Sequence, residues 1–274
     1  MRAALLLGVF FFRLPAPARA DANFPPIAEL MSPVPELPIP REELRDALSD
    51  RPSLESFRAA LESRDPSRRR DAVAAFGTPG NVAAIPYISA ILMRLDESPA
   101  VRVSAAEALG RIADRRACSF LAQGMLDFDE RVRFASALAL GRIDAEANVA
   151  RLEKTLRTDV SWWVRYAAAA AMGGTGKTFT VGWLERAACE DAVWQVRFQA
   201  VAALGQLGTP RAAVALGRAL RDPEGAVRSA AALALGRIGG GRSAYILGRA
   251  LVYEEDIGVR AILAKALRKA GGSR

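Results

Sequence analysis

The sequence predicts an all-α fold, a right-handed α-solenoid of about six to seven helical hairpins, on three observations. Val-Arg pairs recur along the chain at Val101-Arg102, Val132-Arg133, Val164-Arg165, Val196-Arg197, Val227-Arg228 and Val259-Arg260, with Arg-to-Arg steps of 31, 32, 32, 31 and 32 residues. Each pair opens an apolar pattern of helical period. An acid stands six residues before each Arg: Asp96, Asp127, Asp159, Asp191, Asp222 and Glu254. Tandem units of this length cannot bury their apolar faces alone; they stack, and the product is a long surface without a built-in cleft.

In chain order, residues 1–20 resemble a secretory signal peptide: Arg2, an apolar core from Ala3 to Phe12, then Ala18-Arg19-Ala20 as a small-x-small cleavage pattern. The core is too short to span a bilayer, so no integral membrane segment is expected after cleavage near Asp21. Residues 21–40 read as an extended linker, with six prolines between Phe24 and Pro40. The solenoid is expected over residues 41–274. A short helix around Leu54 to Leu61 shields its start, and a degenerate unit follows, with Arg69, Ala75, Phe76 and Gly77 in the repeat slots and Arg68 in place of Val.

The six regular units then share one grammar. Six residues after the Arg is always alanine, seven after is Leu or Met, and eight after is glycine in all but the last unit (Gly110, Gly141, Gly173, Gly205, Gly236). At about 100° per residue these positions share one face of an amphipathic helix. The alanines admit close neighbours, and the glycine is read as the point where the helix unwinds. A second apolar run, such as Ala117 to Leu126 or Ala212 to Leu220, predicts a partner helix. The acid is expected to cap the first helix and the Arg to reach the acid of its own or an adjacent unit. Asp96, Arg102, Asp127, Arg133, Asp159, Arg165, Asp191, Arg197, Asp222, Arg228 and Arg260 thus form a structural ladder. The last unit stops at Gly271-Gly272 with no second helix, and Lys265, Arg268 and Lys269 read as its polar cap.

The pattern D-x-x-x-x-V-R-x-x-A-A-x-A-L-G-x-I, as in Asp96 to Ile112 and Asp222 to Ile238, resembles the HEAT repeats of the phycobilisome-lyase type over about residues 60 to 274. The resemblance implies the solenoid and leaves function open, because this repeat serves bilin lyases, deoxyhypusine hydroxylase and many adaptors. The hydroxylase family binds two irons through His-Glu pairs, and this chain contains no histidine. No cofactor is therefore expected.

Composition narrows the partners. Without Arg2, Arg13 and Arg19 the net charge falls from +8 to +5, and lysine is confined to Lys154, Lys177, Lys265 and Lys269. That argues against a nucleic-acid partner. Cys118 and Cys189 occupy different slots in second helices and read as small buried residues. Residues 171–178 fit A-x-x-x-x-G-K-T, but they fill the repeat's Ala, Met and Gly slots at the end of a helix, without the strand a P-loop requires.

The residue after the Arg is expected to point away from the core. It is aromatic in three consecutive units, Phe134, Tyr166 and Phe198, and Trp162, Trp163 and Trp194 stand just before their arginines. These six are the candidate binding residues, flanked by Arg111, Arg131 and Arg142. The sequence thus predicts an exported (periplasmic or secreted), non-enzymatic scaffold that binds an unidentified protein or peptide on the concave helix face. The alternative is a bilin-lyase-like enzyme or an accessory subunit of an enzyme complex, and self-association through the last unit is a further possibility.

Overall fold

The structure is a computed structural model that describes residues 54–144 and 146–272. The expected leader (1–20) and proline-rich linker (21–40) lie outside the described residues. Helices follow one another without a strand among the described residues: α1 Leu54–Leu61, α2 Pro66–Phe76, α3 Ile85–Met93, α4 Pro99–Ile112, α5 Cys118–Gly124, α6 Glu130–Asp144, α7 Val149–Thr158, α8 Trp162–Gly174, α9 Val181–Glu190, α10 Trp194–Leu207, α11 Pro210–Ala219, α12 Gly225–Ile238, α13 Gly240–Tyr253 and α14 Ile257–Gly271. From α4 onward the even-numbered helices carry the Val-Arg pairs, and α2 holds Arg68-Arg69 in that slot. The even-numbered helices stack into one layer, and the odd-numbered helices α3 to α13 form the second.

The core is a line of small units. Val101, Val132, Val164, Val196 and Val227 are fully buried, as are Leu109, Leu140, Met172, Leu204 and Leu235 one face along. Each unit contributes one such pair, and neighbouring units close over it. The N-terminal end is sealed by aromatic stacking, with Phe57 of α1 on Phe76 of α2 at 4.0 Å between ring centroids.

The repeat glycine has a different role from the one its position predicts. It lies inside the helix, against the alanine of the next ladder helix. A Cβ at Gly110 would stand 2.8 Å from Ala139 Cβ, and at Gly141 2.6 Å from Ala171 Cβ. At Gly173 and Gly205 it would stand 2.8 and 2.7 Å from the Cβ of Ala203 and Ala234. Glycine is therefore required by helix-to-helix approach and not by unwinding. In the second layer the corresponding contact is looser: a Cβ at Gly217 would meet Ile246 Cγ2 at 3.2 Å. The tighter seam puts the ladder layer on the inner side of the curve.

The ladder itself runs forward. Each Arg donates through Nε and Nη2 to the acid of the following unit: Arg102 to Asp127 (2.9 and 2.9 Å), Arg133 to Asp159 (2.9 and 3.0 Å), Arg165 to Asp191 (2.8 and 2.9 Å), Arg197 to Asp222 (2.7 and 2.9 Å) and Arg228 to Glu254 (2.8 and 2.9 Å). Its Nη1 donates back to the main-chain carbonyl of its own unit's acid, as in Arg165 to Asp159 O at 2.9 Å. One planar guanidinium thus clamps two successive turns.

Two expectations change here. Asp96 is not a rung; it is exposed and pairs with Arg94 at 3.3 Å, while Glu97 receives Arg69 at 2.7 and 2.6 Å. The one-residue shift arises because Asp96 faces solvent at the turn and Glu97 faces the stack. Nor do the acids cap the following helix. They close the turn ahead of it, as Asp191 Oδ1 accepts from Val193 N (2.9 Å) and Asp222 Oδ1 from Glu224 N (2.8 Å). Arg260 ends the series, exposed, with Nη1 on Glu254 O at 3.0 Å and no carboxylate partner among the described residues. The glycine slot of α14 holds Arg268, whose side chain denies a further ladder helix the close approach of the other seams.

Candidate functional site

Of the predicted aromatic residues, which lie on α6, α8 and α10 of the inner layer, the structure brings Phe134, Trp162 and Trp163 into ring contact. Trp162 and Trp163, adjacent at the start of α8, stack at 4.5 Å, and Phe134 of α6 meets Trp163 edge-on at 6.1 Å. Phe134, Trp162, Tyr166 and Trp194 are half-buried against the core, and Trp163 is half-buried beside them. Phe198 departs from the expected outward direction: it is 9% exposed and belongs to the core. The slot after the Arg is therefore not uniformly outward: Val103, Phe134 and Tyr166 are half-buried, Phe198 and Ser229 buried, and Ala261 exposed. Burial also pushes the Tyr166 phenol up to about 12. The aromatic strip is therefore a partly covered seam with exposed edges.

The arginines expected beside it have other work. Arg111 Nε donates to Gly77 O at 2.9 Å and its Nη2 to Ala74 O at 3.2 Å, capping the end of α2. Arg131 pairs with Asp129 at the start of its own helix (2.7 Å). Residues 171–178 end α8 and enter a turn, with Gly176 at φ +64° and Lys177 Nζ 3.1 Å from Glu146, so no phosphate cradle forms. Cys118 is half-buried and Cys189 exposed, contrary to the expectation of two buried thiols. Burial of the sulfur pushes both thiols up, which leaves little thiolate for nucleophilic chemistry near neutral pH.

The most exposed apolar side chains lie elsewhere, in places the repeat grammar does not mark. Phe128 and Val160, one residue after ladder acids, are 89% and 92% exposed, and Tyr245 and Tyr253 stand out on α13. A departure from the consensus at these positions is the only signal the sequence carries for them.

The family model described as HEAT repeats matches residues 54–130, 88–173 and 180–268. The chain belongs to the HEAT-repeat family. Over 71 residues this HEAT-repeat protein is 42% identical to deoxyhypusine hydroxylase of Eremothecium gossypii, a match covering 26% of this chain and 22% of the hydroxylase. It thus spans about a fifth of that relative's length. It shares its fold with YibA of E. coli (19% identity, 86% of this chain and 89% of that one, TM-score 0.58). The complex of CpcE and CpcF of phycocyanin lyase from Nostoc is also similar (21% identity, 80% and 96% coverage, TM-score 0.49).

These comparisons correct the functional expectation. A scaffold without an enzymatic role does not stand, because the curated relative that the repeats match is an enzyme. The hydroxylase's iron chemistry does not transfer with them: the chain has no histidine, and among the described residues no group of three His, Cys, Asp or Glu side chains is placed to hold a metal ion. Nor is any helix among the described residues long and apolar enough to cross a membrane.

Proposed function

We propose that this HEAT-repeat protein is a subunit of an enzyme complex, presenting its inner helical layer to the substrate or to the subunit that shares the reaction. The observation that carries this reading is the 71-residue match to an enzyme's repeats at 42% identity. Two features give the reading its form. The chain lacks the histidine-based donor set of that enzyme, so its part in the complex is something other than that enzyme's iron chemistry. The inner layer meanwhile offers the edges of Trp162, Trp163, Tyr166 and Trp194, rigid amphipathic rings of the type that anchor partners. The leader pattern in residues 1–20 supports work outside the cytoplasm, and a native N-terminus at Asp21 is the expected readout.

The test is a tagged chain recovered from its own cells. It should sediment with a stoichiometric second polypeptide whose turnover falls when the repeat subunit is removed and returns on add-back. A chain that sediments alone, at its own 29.3 kDa or less, overturns the proposal. So does a partner whose turnover is indifferent to it.

A further inference from the structure

We infer that the groove between α11 and α13, in the outer layer, is a docking site for an acidic protein segment. It encloses about 1110 Å³. Its floor is apolar, made where Gly217 of α11 meets Ile246 of α13. Its walls carry Arg218 and Arg221 on one side and Arg242, Tyr245 and Arg249 on the other, with Tyr253 at the end of α13.

Charge is what distinguishes this groove. In the valley between α7 and α9 each outward arginine has a glutamate one turn away on its own helix, Arg157 with Glu153 at 3.7 Å and Arg186 with Glu190 at 3.9 Å. Between α11 and α13 that compensation is missing. Arg221 and Arg242 have no carboxylate partner among the described residues, and Arg249 reaches only the Tyr245 hydroxyl, at 3.4 Å. Arg218 alone is paired, with Glu185 of α9. The carboxylates at the inner end, Asp222 and Glu254, are engaged by Arg197 and Arg228.

Three guanidinium groups over an apolar floor call for an occupant that brings carboxylates and an aliphatic side chain. Each planar guanidinium accepts a carboxylate in bidentate fashion, and the Tyr245 and Tyr253 rings, 66% and 75% exposed, add contact area. A protein segment fits better than a nucleic acid. Glu255 and Asp256 also line the groove, so its unpaired positive charge is confined to Arg221, Arg242 and Arg249, a cationic run too short to follow a phosphate backbone. The inference rests on the enzyme-complex reading only for the source of the segment, the partner subunit.

The probe is a fluorescein-labelled peptide of repeated Glu-Glu-Leu, titrated with the full chain at low salt and read by anisotropy. Arg221→Gln with Arg242→Gln should weaken binding about tenfold, as should raising salt. Arg157→Gln with Arg186→Gln, in the compensated valley, should leave it unchanged. Tyr245→Ala, which alters no charge, should weaken it by roughly threefold to tenfold if the peptide seats in the groove. Equal loss from both arginine pairs, or no loss from Tyr245→Ala, overturns the site, and so does an oligothymidine of matched charge that binds as tightly as the peptide. The peptide measurement needs no partner. Its failure therefore removes the groove alone, whereas failure of the add-back experiment removes the enzyme-complex reading and leaves peptide binding intact.

Discussion

Replacing Gly141 by alanine sets two opposed effects against each other at one atom. Alanine is the better helix former by about 1 kcal/mol, so propensity alone predicts a more stable protein. The new Cβ, however, would stand 2.6 Å from Ala171 Cβ and 2.8 Å from Ala171 Cα, against an ordinary carbon–carbon contact of roughly 3.5–4.0 Å. Ala171 has no flexible side chain to swing aside, so α6 and α8 must separate by about 1 Å. Overpacking of this kind costs about 1–3 kcal/mol, and backbone displacement puts it at the upper end. The net expectation is a loss of about 2 kcal/mol, or a fall of roughly 4–8 °C in the unfolding midpoint for a chain of this size. Gly248 is the matched control: it too lies within a helix, α13, but nothing stands within 4 Å of an added Cβ. Gly248→Ala should raise the midpoint by about 2–4 °C. Thermal unfolding by circular dichroism of the two variants decides the matter. If Gly141→Ala is stabilising as well, the glycine–alanine seam is not what brings the ladder helices together.

The remaining predictions concern the ladder and the thiols. Arg102→Ala strips the most buried rung, where Arg102 and Asp127 are 5% and 3% exposed, and should cost about 3–5 kcal/mol in urea unfolding by leaving a buried carboxylate without its counter-charge. Arg260→Ala, at the end without a carboxylate partner, should cost less than about 1 kcal/mol. The guanidinium groups of Arg69 and Arg228 hold the Glu97 and Glu254 carboxyls below their usual range. Their stabilisation is therefore complete above about pH 4.5 and lost as pH falls through the lower folded values, so Glu97→Gln and Glu254→Gln should flatten the acid limb of the stability curve. Because burial raises the Cys189 thiol, its rate of reaction with a disulfide reagent should have a pH midpoint above about 8.5 despite its exposure; a lower midpoint contradicts that assignment.

The arginines announced the architecture because each repeat makes the same contacts, so one pattern is written six times. Repetition made the period and the two helices per unit legible, and it correctly demoted residues 171–178 to a helix end. It misled wherever the answer depended on direction. Asp96 and Glu97 are adjacent acids, and only the turn geometry decides which one faces Arg69. Phe198 follows its arginine as Phe134 and Tyr166 do, yet it is buried where they are half-buried, a difference set by tertiary packing and not by the repeat position. The groove between α11 and α13 was equally out of sight: Arg221 and Arg242 are separated in sequence and meet only when two second helices lie side by side.

By itself, then, the sequence determined the local terms: helix period, apolar face, the acid–arginine rhythm and the family that shares them. The tertiary structure decided what depends on the distance between units. It turned the glycine into a contact surface, sent each ladder arginine up to Arg228 forward to the next acid, and left Arg221, Arg242 and Arg249 in an outer groove without a carboxylate partner among the described residues. Periodicity along a chain reports which face is buried, but the spacing of neighbouring helices sets what that face touches.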